Sequence, residues 1–463
     1  MRVWFERFLR SYQLVFVVIV WFWDVGELMQ LHSSLVWLLG LVIGFSIDGI
    51  SHGQQSDPFP SPGSIKGLQV QMVDDAIALG VRHAALNLPM GGMIANEGDA
   101  DAIQWKSSDV VYRFNRRFIE GMDRRIKPLS DAGVVVYLIL LAMPTGDANK
   151  DAILLHPRAG NNGPYTISAF NVHSPAGQAW FRAAMEFLAD RYNSEDPSSG
   201  RVWGWIVGNE VNSHSVWHNC GASTLDELVD GYEKSMRIVH ESVRKSSRHG
   251  RVYISLDHHW TSSHTPQQTR DSVPGRDLLD RFAKTVREKG EFDWHTAYHP
   301  YHSNLFSSEV WNDTAVTKSV DTPKITFANL EILCRYLDRD ELKYKDATGA
   351  MHTRRVILSE QGFHSEANEQ GELKQASAYV YAWEKCKRLE SIDAFIYHRH
   401  VDHAREGGLR LGLWRNVAGS IDTPLSKKPI YEVFLKAGTK DWDAVSREAL
   451  GVTGLSNWDL LNE

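Results

Sequence analysis

Glu210 closes the apolar run Trp203-Gly-Trp-Ile-Val-Gly-Asn-Glu210, and Glu360 closes Val356-Ile-Leu-Ser-Glu360. A carboxylate beside apolar strand residues is costly unless it is paired or put to use. Two such groups at strand ends of one barrel could converge on a glycosidic bond, one lending a proton and the other attacking the anomeric carbon. An internal salt bridge is the alternative for either glutamate alone. A matched pair at two strand ends weighs against it.

The elements that must hold this pair read as an alternation of apolar runs and helical patterns, the mark of an α/β protein with a parallel sheet. Strands are expected over residues 65–70, 81–88, 134–142, 202–208, 252–256, 292–298, 356–359 and 392–397. Helices are expected over 72–79, 114–129, 277–288, 327–337 and 373–389. Two further helices carry start signals: Ser174-Pro175, a cap followed by a first-turn proline, and the capping box Thr224-Leu-Asp-Glu227. Eight such alternations fit a (β/α)8 TIM barrel with one catalytic domain over 64–463, including a helical C-terminal tail. In that fold chemistry sits at the C-terminal ends of the strands, where both glutamates fall. Period-two alternation puts Val356, Leu358 and Glu360 on one face and predicts that Glu360 caps the barrel interior. Gly204 and Gly208 share the parity of Glu210 and are expected to leave room beneath it.

Composition narrows the partner. The 463 residues are 43% hydrophobic and 23% charged, near globular values, so a large core is available. Lys plus Arg number 50 against 57 Asp plus Glu, and no basic run resembles a phosphate-binding stripe, which argues against nucleic acid. The 16 Trp and 15 Tyr could offer flat faces to sugar rings or simply fill the core. Cys220, Cys334 and Cys386 lack metal-ligand spacing and an even count, so neither a zinc site nor a disulfide scaffold is expected. Apolar stretches at 14–23 and 35–45 precede a Pro- and Ser-rich linker at 56–63, and each is short of the ~20 residues that span a bilayer. Residues 1–55 read as an export signal, with translation starting at Met29, or as an uncleaved membrane anchor; both place the protein outside the cytoplasm. A buried helical hairpin is the remaining option for this segment.

Three short motifs in strand order carry a family resemblance: Asn209-Glu210 ending strand four, His299-Pro-Tyr301 ending strand six, and Ser359-Glu360 ending strand seven. Over roughly residues 64–435 the chain resembles glycoside hydrolase clan A. Gly208-Asn-Glu-Val-Asn212 and Ser359-Glu-Gln-Gly-Phe-His364 are most similar to a bacterial clan-A-like family of unassigned function. The resemblance implies a retaining β-glycosidase that needs no cofactor and acts on a polysaccharide or oligosaccharide. Glu210 would be the acid/base and Glu360 the nucleophile. Asn209 would bind the hydroxyl beside the anomeric carbon, Tyr301 or Tyr298 would donate to Glu360, and His299 would share the subsite. Retention requires carboxyl groups about 5 to 5.5 Å apart, whereas inversion needs about 6.5 to 9.5 Å.

One departure stands out. Many clan members end strand eight in a tryptophan that floors the subsite, but here the end is Tyr397-His-Arg-His-Val-Asp-His403. The platform would have to come from Tyr397, Trp260, Trp217 or Trp414. Arg399 and Arg405 either point inward, where they could bind an anionic sugar, or pair with Asp402 and Glu406 in their own loop. His259 and Trp260 after strand five, Asn212 after the acid and Asn87 at the end of strand two are further candidates for binding sugar. Asn87 reads equally as an ordinary rim residue, and the loop from Pro144 to Pro164 as a cleft wall or a solvated surface. Asp257, His258 and His259 are adjacent and face opposite ways, a poor metal set, so no metal is expected. A non-catalytic carbohydrate-binding barrel is the second reading, and a metal-dependent barrel hydrolase the third.

Overall fold

A computed structural model describes residues 55–346 and 348–462. The apolar stretches before them lie outside the described residues. No described helix is long and apolar enough to cross a membrane.

Eight strands, β1 (Lys66–Gln69), β2 (His83–Pro89), β3 (Val135–Leu141), β4 (Gly204–Val207), β5 (Arg251–Asp257), β6 (Trp294–His299), β7 (Val356–Leu358) and β8 (Ile392–Tyr397), pair in parallel. Each neighbours the next and β8 returns to β1, so the barrel closes as the alternation predicts. Helices α1 (Val73–Ala78), α2 (Arg116–Asp131), α3 (Pro175–Asn193), α4 (Leu225–Ser246), α5 (Gly275–Lys289), α6 (Glu331–Leu337) and α7 (Glu369–Cys386) connect them, and α8 (Pro429–Lys436) and α9 (Trp442–Thr453) follow β8. The start signals operate as read: Ser174 accepts from the Gly177 N–H, and Thr224 and Glu227 cap each other's backbone.

Two apolar layers hold the fold. Ala85, Tyr137, Ile206, Tyr253, Ile357 and Ile396 belong to the cluster that fills the barrel, while Leu68, Leu138, Leu256, Tyr298, Leu358 and Tyr397 pack in the larger cluster with the helices. Strands buried on both faces read as continuous apolar runs, as in the fully buried β3.

This division reverses the expected parity of β7. Ile357 faces the interior, and Val356 and Leu358 face the helices. Regular strand stops at Leu358; the Ser359 N–H still donates to the Tyr298 carbonyl at 3.2 Å, and then the chain turns. Gln361 Nε2 holds the turn on the Ile396 carbonyl at 2.5 Å, and a Cβ on Gly362 would come within 1.9 Å of the His398 carbonyl oxygen. Glu360 therefore reaches the mouth by a turn, not by the pleat. The glycines of β4 also have another purpose. A Cβ on Gly204 would strike the Tyr137 ring at 2.1 Å, and one on Gly208 the His218 ring at 2.5 Å, so they admit those rings and do not clear space under Glu210.

Residues 55–64 pack onto the N-terminal end of the barrel. The Phe59 ring meets Trp203 edge-on at 5.9 Å, and the Arg251 guanidinium lies 3.8 Å over Phe59. Gln55 accepts from the Ser247 hydroxyl at 3.2 Å.

Candidate active site at the barrel mouth

β4 delivers Glu210 through an unusual backbone. Gly208 has φ +76°, and Glu210 itself sits in the left-handed region at φ +40°. A side-chain-bearing residue there is strained, a condition that recurs where geometry serves function. The Glu210 N–H is pinned by the Ser255 hydroxyl of β5 at 3.0 Å. Its Oε1 lies 2.9 Å from His299 Nδ1, and His299 Nε2 lies 3.0 Å from Ser359 Oγ. Glu210 and Ser359, the residue before Glu360, thus share the one imidazole that β6 supplies, which is only 2% exposed. Glu360 is half-buried and accepts from the Tyr301 hydroxyl at 3.2 Å. One donor atom each from Glu210, His299 and Glu360 lie within 4.8 Å of one another.

The electrostatics separate the groups. Burial raises the Glu210 carboxyl above its ordinary range, the charges of Asp257 and Glu360 add to the rise, and the His299 hydrogen bond opposes it. For His299 burial alone would favour the neutral form, but the bond to Glu210 and the charges of Glu360, Glu210 and Asp257 outweigh it and raise its pKa. Asp257 is held anionic against its burial by His259 and Ser213, so it stands as a fixed negative charge near Glu210. Burial and the charges of Glu360, Glu406 and Glu210 keep the Tyr301 phenol protonated and fit to donate.

The other expected site residues divide. Asn209 is 8% exposed next to Glu210, and no hydrogen bond to its side-chain amide occurs among the described residues. Asn87 is exposed at the end of β2 and accepts from Gln69 at 3.1 Å. His259 keeps Nδ1 on Asp257 at 3.1 Å and stacks on His258 at 4.5 Å, so it orients Asp257. Four expectations are corrected. Asn212 is fully buried, bonded to both the side chain and the N–H of Asp257, and clamps the β4 loop to β5. Trp260 is fully buried, with its indole donating to the Val320 carbonyl at 2.9 Å. Tyr298 faces the helices and donates to the Ile325 carbonyl at 3.2 Å, leaving Tyr301 as the donor to Glu360. Tyr397 is also fully buried, donating to the Leu411 carbonyl at 2.7 Å.

Of the proposed aromatic platforms, Trp217 is half-buried against the cluster that fills the barrel, whereas the Trp414 indole donates to Asp75. Arg399 bonds Glu406 at 2.8 Å, which decides its case for pairing within the loop; Asp402 takes Lys428 instead, also at 2.8 Å. Ser255 and Gln69 were not singled out from sequence, Ser359 was named only as part of a motif, and Glu406 only as a loop partner for the arginines, the role that its pair with Arg399 fills.

The barrel is similar to solved glycosidases. The hyperthermophilic β-glucosidase from Pyrococcus furiosus superposes with a TM-score of 0.50 at 14% identity, over 82% of this chain and 86% of that one. The family 1 β-glucosidase from Thermotoga maritima in complex with isofagomine lactam gives 0.48 at 13% identity, over 79% and 84%. The first of these likenesses establishes the fold and nothing finer. No curated protein matches the chain in sequence. Residues 58–461 match the family of unknown function DUF5722, and the chain belongs to that family.

Proposed function

We propose that this protein is a retaining glycoside hydrolase that cleaves β-glycosidic bonds of a polysaccharide or oligosaccharide. The observation that carries the reading is the approach of a Glu210 oxygen and a Glu360 oxygen to within 4.8 Å, from opposite sides of a closed barrel. An approach of the nearest oxygens on this scale supports retention, which uses carboxyl groups about 5 to 5.5 Å apart, over inversion, which uses about 6.5 to 9.5 Å. Glu360, with Tyr301 donating to it, attacks the anomeric carbon. Glu210, with its raised pKa, gives its proton to the departing oxygen and then takes one from the water that releases the sugar. Asn209 lies beside Glu210, in position to bind a hydroxyl of the same sugar. The basic and apolar pattern of residues 1–55 supports export or anchoring of the enzyme.

The test is reducing-sugar release by the full-length protein across neutral, uronic-acid and sulfated glycans, beside Glu210→Gln and Glu360→Gln. Turnover that falls by about 10²- to 10⁴-fold or more in each variant, with melting temperature kept, is the expected result. Equal glycan binding by all three proteins without cleavage would favour the carbohydrate-binding barrel. The donor set Glu210, His299 and Glu360 also suits a metal ion, although both His299 nitrogens already have protein partners. Loss of activity in chelator, restored by metal, would move the reading to metal-assisted hydrolysis.

A further inference from the structure

A single exposed apolar side chain is ordinary, but two aromatic residues stand at opposite rims of the barrel mouth. Phe306, in the loop after β6, is the only exposed aromatic residue among those described, with 54% of its surface open. Asn304 fixes its backbone by accepting from the Phe306 N–H at 3.1 Å. The ring meets His364, in the loop that carries Glu360, with centroids 5.1 Å apart, and a Cβ on Gly408, in the loop after β8, would stand 3.8 Å from it. Those two loops are tied together: the Arg410 N–H donates to His364 Nδ1 at 3.1 Å, and the Ser365 N–H to the Arg410 carbonyl at 3.0 Å. Phe306 is thus held at the β7–β8 rim and still left open.

Trp217 occupies the other rim. It ends the helical turn His214–Trp217 that follows Glu210. The Val216 carbonyl accepts from the Ile167 N–H at 3.1 Å, and the Asn219 N–H donates to the Ile167 carbonyl at 2.8 Å. The Ser168 N–H donates in turn to the carbonyl of Ala142, the residue after β3, at 2.8 Å. These bonds hold Trp217 at the β3–β4 rim, half-buried on the cluster that fills the barrel.

In the closed order of eight strands, β3 and β4 stand opposite β7 and β8. With strands about 4.8 Å apart and tilted by about 36°, opposite rims lie roughly 15 Å from each other. No single sugar ring bridges that span, but a short chain does. Glu210 rises from the end of β4 and Glu360 from the turn after β7, so a chain laid from one aromatic residue to the other crosses both carboxylates. Exposed apolar surface with a polar rim marks a binding groove, and an aromatic face suits the C–H face of a pyranose.

We infer that the mouth is an open cleft that holds a chain of β-linked pyranoses on both sides of the cleaved bond, with Phe306 and Trp217 as its two stacking platforms, and that the enzyme cuts within chains. This rests on the glycosidase reading. Glu360 attacks the sugar on the non-reducing side of the bond, and Glu210 protonates the oxygen that leaves with the reducing side. Phe306 therefore serves the non-reducing part of the chain and Trp217 the reducing part.

The experiment uses the full-length wild type, Phe306→Ala, Trp217→Ala and Trp217→Phe with reducing-end-labelled oligosaccharides of increasing length from cellulose, xylan, β-mannan and β-1,3-glucan. Products are read by mass spectrometry and affinities by titration calorimetry. The wild type is expected to cut inside the chain and to gain at least about tenfold in kcat/KM as the chain lengthens, the scale of one aromatic contact. Phe306→Ala is expected to lose that gain and to lengthen the labelled product, because a weaker hold on the non-reducing side slides the chain toward the Trp217 side. Trp217→Ala is expected to shorten the labelled product, and Trp217→Phe, which keeps an aromatic face, to restore the wild-type pattern. Opposite shifts of this kind do not come from a merely structural role. Shifts in one direction, an unchanged pattern in both alanine variants, or a wild type that only removes single sugars from a chain end overturn the inference. Affinity that rises with chain length and falls in both alanine variants, without turnover, supports the cleft and sinks the hydrolase reading alone. A wild type that neither cleaves nor binds any of these chains overturns both.

Discussion

At the scale of single residues, Glu210 is governed by two neighbours of opposite effect. Asp257 adds negative charge and raises the carboxyl, whereas the hydrogen bond to His299 lowers it. Glu210 must begin protonated, so activity is present below its folded pKa and is lost as pH rises through it. Asp257→Asn is therefore expected to move the alkaline limb of the kcat/KM profile to lower pH. His299→Asn is expected to move it to higher pH, and shifts in the same direction would refute this account of the site. Tyr301→Phe removes the hydrogen bond to Glu360, and kcat/KM should fall by about 10- to 100-fold, the range for a hydrogen bond to a charged group. The glutamates were legible because a carboxylate at a strand end is conspicuous against apolar neighbours, and His299 and Tyr301 only through the family resemblance of His299-Pro-Tyr301. Gln69 was not, because its contact with His398 joins strands far apart in the chain.

At the scale of elements, the alternation of runs revealed the eight strands and their order, but pleat parity failed where the strand itself ends. A two-residue period holds only while the chain stays extended, and after Leu358 it does not. Tyr298 and Tyr397 lie within regular strand and face the helices, so neither the donor role nor the platform expected of them falls at the mouth. The turn that carries Glu360 depends on Gly362, where an added Cβ would meet the His398 carbonyl oxygen at 1.9 Å, too close for any side chain. Gly362→Ala must push the β7 and β8 ends apart. It is expected to abolish activity and to lower the melting temperature, whereas Gly349→Ala, beside open space, tests only the strain of a left-handed glycine on an exposed turn. Equal activity of Gly362→Ala and wild type would show that the close approach does not position Glu360. Asn212 joins β4 to β5 by bonding the side chain and N–H of Asp257. Its replacement by Ala leaves a buried charge short of a partner, and a loss of about 1.5–3 kcal/mol is expected in denaturant unfolding.

At the scale of the whole molecule, the barrel has two dissimilar ends joined by a solid interior. The mouth gathers Glu210, Glu360, Asp257 and Glu406. The opposite end is closed by Phe59 on Trp203 and by an ion-paired group in which Asp393 takes both Arg251, at 2.7 Å, and Arg355. Sequence alone marked residues 56–63 as a linker from their Pro and Ser content; their packing on the barrel could not be foreseen, because Trp203 and Arg251 are remote in the chain. Tyr137, Tyr253 and Ile357 fill the space between the ends, so a change at the floor should be felt as stability and not as chemistry. Phe59 is half-buried, and Phe59→Ala should cost less than the roughly 3–5 kcal/mol of a fully buried phenylalanine. The expected outcome is a melting temperature lower by a few degrees, as about 1 kcal/mol moves it by roughly 2–4 °C in domains of a few hundred residues, with kcat and the pH profile unchanged. A fall in kcat of tenfold or more at an unchanged melting temperature would mean that the floor and the mouth are mechanically coupled, and that the interior between them is not the rigid partition its packing implies.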